Sequence, residues 1–463
     1  SGLPGWRGLL ASRPYRRFSM KPAKTWRNGT LVYTAGGLVI LFLWLMWGDF
    51  AYSMKDRATG TVAGLMLKRF EVSDFLYGII MVSFPNFTNI FLCPIVSYRS
   101  DRHRGRFGRR IPYLFMTTPF ILVGLLGLGV TPQLARWIQQ LVGPEHLSFH
   151  LAALLVFCFF WAVLDFGTTL ASAIFNALAT DVVPTEFLGR FFAMFRAISL
   201  GCAFLFNYFV MGYAETHAMV IFFGLALLYG AGLFSICLKV KEGEYPPPET
   251  VSFGPPSVKN AVRTYFRECF SLPYYRWVVM ASVVAGFSVV PFNIYGIFYV
   301  KSLQMDMDFY GKVSSLICLV SFVLSFFLGW FSDRFHPIRT GIVSMALQTV
   351  ILFVGGQIAT TESTFAWLYL VQGISIMSYN TLMASYAPRL FPREYFAQFN
   401  SAMMLINALA SVIGVPLAGK FLDLTGNYYP HLFTMGGVIG LCGLYCFVKV
   451  YRGYQRGCRL HGT

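Results

Sequence analysis

Charge is scarce in this sequence. Of 463 residues only 12% are Asp, Glu, Lys or Arg, where a soluble globular chain carries about 25%. Acidic residues number just 20. Set against a hydrophobic content of 56%, that shortage excludes a water-soluble globular fold. Paired cysteine motifs are missing as well. The nine cysteines are scattered through apolar stretches without a CxxC pair, and Cys442 with Cys446 is one helical turn of a hydrophobic segment. Neither a disulfide framework nor a zinc site is expected, and no metal or cofactor. Residues 1–30 are rich in Arg and Lys and free of acid, without the short apolar run of a secretory signal. No sizeable polar domain interrupts the apolar runs, and no His, Cys or acidic cluster stands where a membrane-embedded enzyme would need one, so enzymatic activity is not expected.

Long apolar runs are abundant. A bilayer core about 30 Å thick needs about 20 helical residues. Runs of that kind fall near 32–62, 74–98, 111–131, 150–180, 191–213 and 218–240, and again near 276–300, 309–332, 340–360, 364–388, 395–421 and 430–450. Between the two sets lies a polar stretch holding Pro246-Pro247-Pro248 and Pro255-Pro256. The pattern predicts an all-α membrane protein of twelve transmembrane helices. It divides into a tail (1–30), a six-helix bundle (31–240), a linker (241–275), a second six-helix bundle (276–451) and a C-terminal tail (452–463).

The 37 Lys and Arg residues exceed the acids by 17, a balance that in a soluble protein would suggest nucleic acid. On this topology 28 of them fall on the side holding both termini, five on the other side and four inside spans. The positive-inside rule then places both termini in the cytoplasm of a plasma or inner cell membrane and removes the need for nucleic acid. Anionic lipid is the expected partner of these loops, and the chain is expected to act as a monomer.

The two halves echo each other. Ser100-Asp101-Arg102 after span two recurs as Ser332-Asp333-Arg334 after span eight, 232 residues later, and Pro184-Thr185-Glu186 before Phe191 is matched by Pro392-Arg393-Glu394 before Phe399. Parallel repeats of this kind predict a rocking transporter with its site between the halves.

Ionised side chains inside spans cost at least about 2.5 kcal/mol, so each is expected to face a cavity or a partner. In span one Asp49 and Asp56 are two helical turns apart on one face, flanked by Lys55 and Arg57. In span four Asp165, Thr168, Thr169, Ser172 and Asn176 fall within roughly 60° of one direction and are expected to line the cavity. Span five adds Arg196, Ser199 and Asn207. The second half offers neutral groups: Gln372, Ser375 and Tyr379 in span ten, Asn400, Asn407 and Ser411 in span eleven, Asn293 and Tyr295 in span seven. Carboxylates on one side and amides and tyrosines on the other suit a polyhydroxylated solute. The same residues could equally satisfy neighbouring helices. All seven histidines lie in loops or at span ends, which leaves an aspartate as proton carrier. The expected coupling group is Asp165 paired with Arg196, with Asp56 assisting.

The loop Ser100-Asp101-Arg102-His103-Arg104-Gly105-Arg106-Phe107-Gly108-Arg109-Arg110-Ile111-Pro112-Tyr113 resembles the signature loop of the major facilitator superfamily. Its RFGRR-x-P form is similar to that of the sucrose transporters and of the glycoside-pentoside-hexuronide:cation symporters. Phe160 to Asp165, Thr180 to Pro184 and Gly189-Arg190-Phe191 resemble the fourth helix and following loop of those families, and Trp47-Gly48-Asp49-Phe50-Ala51 resembles the symporters' first helix. The resemblance implies secondary active transport of a sugar or glycoside, with Asp49 and Asp165 as sugar-contacting aspartates and Arg196 as a functional arginine. Asn89 and Cys93 stand where melibiose-type symporters carry carboxylates, which disfavours sodium and favours a proton. It also implies a gate of Asp101, Arg102, Gly105, Arg106, Gly108, Arg109 and Arg110, latched in the outward-facing state, with Asp181, Glu186 and Arg190 as partners and Asp333 and Arg334 as a degenerate copy. The rival expectation is a non-sugar solute, such as a drug, an organic anion or a lysolipid, on the same fold.

Overall fold

The computed structural model describes residues 25–105, 107–243, 269–270, 272–391 and 396–460. In lipid every backbone N–H and C=O must be paired within its own segment, which leaves helices as the solution for apolar runs of this length. The first half holds α1 (Ala35–Lys68), α2 (Asp74–Arg102), α3 (Ile111–Val142), α4 (Phe149–Val182), α5 (Thr185–Tyr213) and α6 (Ala218–Lys239). The second holds α7 (Pro273–Ser302), α8 (Met307–Arg334), α9 (Pro337–Ile358), α10 (Glu362–Met383), α11 (Phe396–Leu424) and α12 (His431–Leu460).

Polar caps mark where several of these helices start. The hydroxyls of Thr34, Ser73 and Ser148 accept from the backbone of the following turn, and Thr361 with Thr364 forms a reciprocal capping box. By length and composition eleven of the helices can cross a membrane. The exception is α10, whose Gln372, Ser375, Ser378, Tyr379 and Asn380 dilute its apolar character. Apolar residues exposed on the helices, such as Phe159, Leu227, Phe327, Val343 and Trp367, form the surface that lipid covers.

Several boundaries depart from the sequence reading, three of them with structural consequences. Helix α3 runs eleven residues past the expected end at 131, straight through Pro119 and Pro132, a tolerance typical of membrane helices whose neighbours re-pair the freed carbonyls. At the far end, α12 continues to Leu460, so most of the expected C-terminal tail is helix. The expected N-terminal tail contains a hairpin, Trp26–Asn28 against Leu31–Tyr33, turned by Gly29-Thr30 with Gly29 at φ +58°. The Asn28 amide donates to the carbonyls of Asp181 and Val183 at 2.9 Å each, and Trp26 meets Phe187 edge-on. The hairpin is thereby fastened to the loop between α4 and α5.

Within the first half α3 packs on α4 and α6, and α1 on α5 and α6. In the second half α9 packs on α10 and α12, and α7 on α12. The halves meet along two seams, α2 against α11 and α5 against α8. Helices α2 and α5 each contain a π-helical turn, Ile79–Ser83 and Phe206–Val210, a local widening of the helix that shifts the register of the side chains beyond it.

Candidate functional site

A cavity of about 570 Å³ lies between the halves. Helix α1 contributes Asp56, Arg57, Gly60 and Thr61, and the π-turn of α5 contributes Phe206 and Asn207. The second half adds Asn293 on α7, Tyr310 and Ser314 on α8, and Tyr369, Gln372 and Asn380 on α10. Aromatic walls come from Tyr77, Trp161 and Phe292. The Tyr369 hydroxyl lies 3.1 Å from that of Tyr310 and 3.2 Å from that of Ser314, which fixes both rings. The buried side-chain amide of Gln372 has neither its nitrogen nor its oxygen paired among the described residues, which marks it as a polar group whose partner is still to be accounted for. The Arg57 guanidinium reaches the Ser199 hydroxyl at 3.4 Å.

At the end remote from the termini the cavity is sealed by residues of both halves. The Asp423 carboxylate, at the end of α11, accepts from the backbone N–H of Asp74 at 2.8 Å and of Phe75 at 2.9 Å. One half thus caps the N-terminus of a helix in the other, where the helix dipole favours an anion. Asp74 is itself fully buried and paired with Lys68 Nζ at 2.6 Å. The Tyr295 hydroxyl sits 3.0 Å from the carbonyls of both Asp74 and Val415. The approach is close enough that a Cβ on Gly419 would come within 2.4 Å of the Asp74 carbonyl oxygen. Lys301 pairs with Glu215 across the halves at 2.8 Å. Nearer the termini, Asn176, Arg196 and Asn407 stand exposed although each lies within the span of its helix. The cavity is therefore closed on one side and open toward the other.

Of the polar residues expected at the cavity, its wall takes Asn207, Asn293 and Gln372, and of the expected coupling residues it takes Asp56. Asp49 shares a helical face with Asp56 but is only 7% exposed, because the lower part of α1 packs on α5 and α6, beside Cys202. The polar stripe of α4 turns toward α1 and α2 instead of the cavity. Asp165 accepts from the Thr88 hydroxyl at 2.5 Å, Thr168 from Lys55 Nζ at 3.3 Å, and the Thr169 carbonyl from the Cys93 thiol at 3.8 Å. Asn176 donates to the Ser172 carbonyl of its own helix. The expected pair of Asp165 with Arg196 does not form. Counting 1.5 Å per residue, Asp165 lies about 25 Å along α4 from the loop at its end and Arg196 about 16 Å along α5 from the same loop. Tyr379 and Asn400 are half-buried and lie outside the cavity wall. Tyr310, Ser314, Tyr369 and Asn380 were not expected. The spacing of Tyr310 to Ser314 and of Tyr369 to Gln372, one polar stripe on each of two apolar spans, was the available signal.

The arginine-rich loop forms a compact network inside the first half. Arg109 donates to both oxygens of Asp181, at 2.6 and 3.0 Å, and Arg110 Nε donates to Asp181 at 3.0 Å. Arg110, buried, also pairs with Asp101 and the Ser100 hydroxyl. Glu242, beyond the end of α6, accepts from the backbone N–H groups of Arg109, Arg110 and Ile111 at 2.7 to 2.9 Å. Gly108 has φ +99° and lies so close to Glu242 that a side chain would collide with it; Gly105 pairs with it across the turn. Arg102 is exposed at the end of α2. Glu186 and Arg190 are exposed and make no ion pair among the described residues. Arg334 lies over the Trp330 ring, while Arg106 and the Asp333 side chain lie outside the described residues.

A bacterial homologue of the iron transporter ferroportin, solved in an inward-facing state, is similar with a TM-score of 0.66 and 15% identity, over 89% of this chain and 99% of its own. A D-xylose-proton symporter gives 0.62 and 14%, over 88% and 97%. A peptide transporter solved with sulfate gives 0.61 and 16%, over 92% and 96%. Among curated proteins none matches. Residues 45–354 and 290–457 match the Major Facilitator Superfamily. With that match spanning both halves and a cavity lying between them, the chain belongs to the Major Facilitator Superfamily and is an integral, multi-pass membrane transporter.

Proposed function

We propose that the chain is a proton-coupled importer of a sugar or glycoside, working by alternating access with both termini in the cytoplasm. The observation that carries this reading is the cavity between the halves, whose wall combines Gln372, an amide unpaired among the described residues, with Asp56, Arg57 and a set of Tyr, Trp and Phe rings. A carboxylate and an amide pair hydroxyls, rings stack on the apolar faces of a pyranose, and the two cavity charges cancel, which suits a neutral solute. The RFGRR-x-P loop and the Trp47-Gly48-Asp49 run add the resemblance to sucrose-type and glycoside-type symporters. The basic residues gathered beside the termini support the orientation, so the sealed end faces outward. Asp165 is the coupling acid, with Asp49 supporting the wall from behind. Arg196 and Asn176, exposed nearer the termini, are assigned to the solute's route to the cytoplasm together with Tyr379 and Asn400, and the Asp181 network to holding the cytoplasmic loop.

The test is uptake of a labelled disaccharide panel into proteoliposomes under an imposed pH gradient. Accumulation of at least one sugar that collapses with the gradient is expected. Gln372→Ala is expected to weaken it about tenfold, the worth of a hydrogen bond made only by solute, and Asp165→Asn to abolish accumulation. Uptake of no sugar by folded protein would transfer the reading to a non-sugar solute on the same fold.

A further inference from the structure

One buried cation of the first half, Lys55, has no role in the function described so far. Lys55 is 2% exposed in the middle of α1. Its ammonium lies 3.9 Å from Asp56 Oδ1, 3.3 Å from the Thr168 hydroxyl and 4.6 Å above the Tyr52 ring, with the Tyr229 ring at 5.8 Å. Asp165, one helical turn before Thr168, is within electrostatic reach of the same ammonium. The titratable groups facing Lys55 are Tyr52 and Asp56 on its own helix, Asp165 on α4 and Tyr229 on α6. Helix α2 brings Thr88 and Cys93 to the far side of Asp165 and Tyr52, and α5 brings Cys202 beside Asp49.

One buried ammonium thus stands between two carboxylates of different standing. Asp56 is 61% exposed on the cavity wall, whereas Asp165 is held behind it by Thr88. A single cation cannot fully compensate both charges in a low-dielectric surround. We propose that Lys55 is the positioning residue through which the proton on Asp165 and the solute on Asp56 sense each other. This rests on the coupled-transport reading above and deepens it.

With Asp165 protonated, the ammonium belongs to Asp56 and holds that carboxylate, and Arg57 beside it, in the geometry that meets solute hydroxyls. When the Asp165 O–H gives its proton to water on the open side, the carboxylate left behind draws the ammonium across Thr168, and Asp56 loses its partner. Lys55 keeps its own three protons throughout, so one proton crosses per exchange and no other species is consumed. The cation–π contacts with Tyr52 and Tyr229 serve both positions of the ammonium without competing for its hydrogen bonds.

The test is an infrared difference titration of the full-length protein in liposomes, following the carboxylic-acid C=O band that Asp165→Asn removes. Lys55→Met is expected to displace the midpoint of that band by about one pH unit or more, and Lys55→Arg, which keeps the charge, by less than half as much. Where Lys55→Met does not fold, Lys55→Gln, whose amide can keep the Thr168 contact, takes its place. A midpoint unmoved in the neutral variant, equal displacement in the Met and Arg variants, or no such band over the accessible pH range would each overturn the proposal. In the uptake assay Lys55→Met is expected to lose gradient-driven accumulation at least tenfold, and Lys55→Arg to lose less. Wild-type protein that accumulates no sugar defeats the importer reading but leaves the titration standing, whereas an unmoved midpoint defeats the role of Lys55 whatever the uptake.

Discussion

The two ends of this transporter are held together differently. At the end remote from the termini the contacts run between the halves: Asp423 to the start of α2, Tyr295 to Asp74 and Val415, Lys301 to Glu215. At the end near the termini the dense network of Arg109, Arg110, Asp101, Asp181 and Glu242 lies wholly within the first half. A network inside one half is present whichever way the halves tilt, so it contributes to the fold of that half. A clasp between halves exists in one state only, so it sets the balance between states. The two ends should therefore respond to mutation in different observables.

The largest effect is expected from the network inside the half. Asp181 receives three hydrogen bonds from two guanidinium groups, and Arg110 beside it is buried. Removing one partner of a buried charge network leaves the other uncompensated, at about 3 to 5 kcal/mol. Asp181→Ala is expected to lower the thermal midpoint of the detergent-solubilised protein by several degrees and to reduce transport through loss of folded protein. A midpoint equal to wild type would show that the network is not what holds this end.

Next come two changes at the clasp. Gly419→Val places side-chain atoms against the Asp74 backbone, and overpacking of this kind costs about 1 to 3 kcal/mol, borne only by the sealed state. Spin labels at Thr216 and Tyr428, one in each half at that end, are expected to report a longer distance while the thermal midpoint holds. Asp423→Asn keeps the shape but removes the charge from two charge-assisted bonds. A loss of about 1.4 kcal/mol corresponds to a tenfold shift in population, read on the same labels. If either variant unfolds the protein without changing the distance distribution, the clasp is part of the fold and the contrast between the ends disappears.

The apolar spans and the arginine loop were legible in the sequence because both are local: hydrophobic runs need no partner to be recognised, and Asp181 follows the same helix whose motif ends at Pro184. Helix ends were less so, since Pro132 reads as a break in water and is absorbed in a helix packed against α4 and α6. The clasp was invisible for a different reason. Asp74 and Asp423 are 349 residues apart, and a lone aspartate beside a loop carries no sign of which backbone it will cap. Misassignment of the Asp165 partner has the same origin. Helical spacing gives direction around an axis but not the depth at which two helices present their charges, and depth separates Asp165 from Arg196 while bringing Lys55 to Thr168.

Depth and state together give the smallest expected effect, which is also the sharpest test of the contrast. Glu186 and Arg190, at the start of α5, follow Asp181 at the end of α4 and were expected as latch partners, yet both are exposed here. In the state with this end open they face solvent, where a charge change is usually within about 0.5 kcal/mol. Glu186→Gln and Arg190→Gln are accordingly expected to leave the thermal midpoint where it is. If they latch this end when the halves tilt the other way, as the loop's resemblance implies, the same substitutions will shorten the distance between the labels at Thr216 and Tyr428 on average, by favouring the state seen here. The clasp variants move that distance in the opposite direction. An unchanged distance would mean that the state closed near the termini is held by the halves' packing alone, with the arginine network a scaffold of the first half in both states.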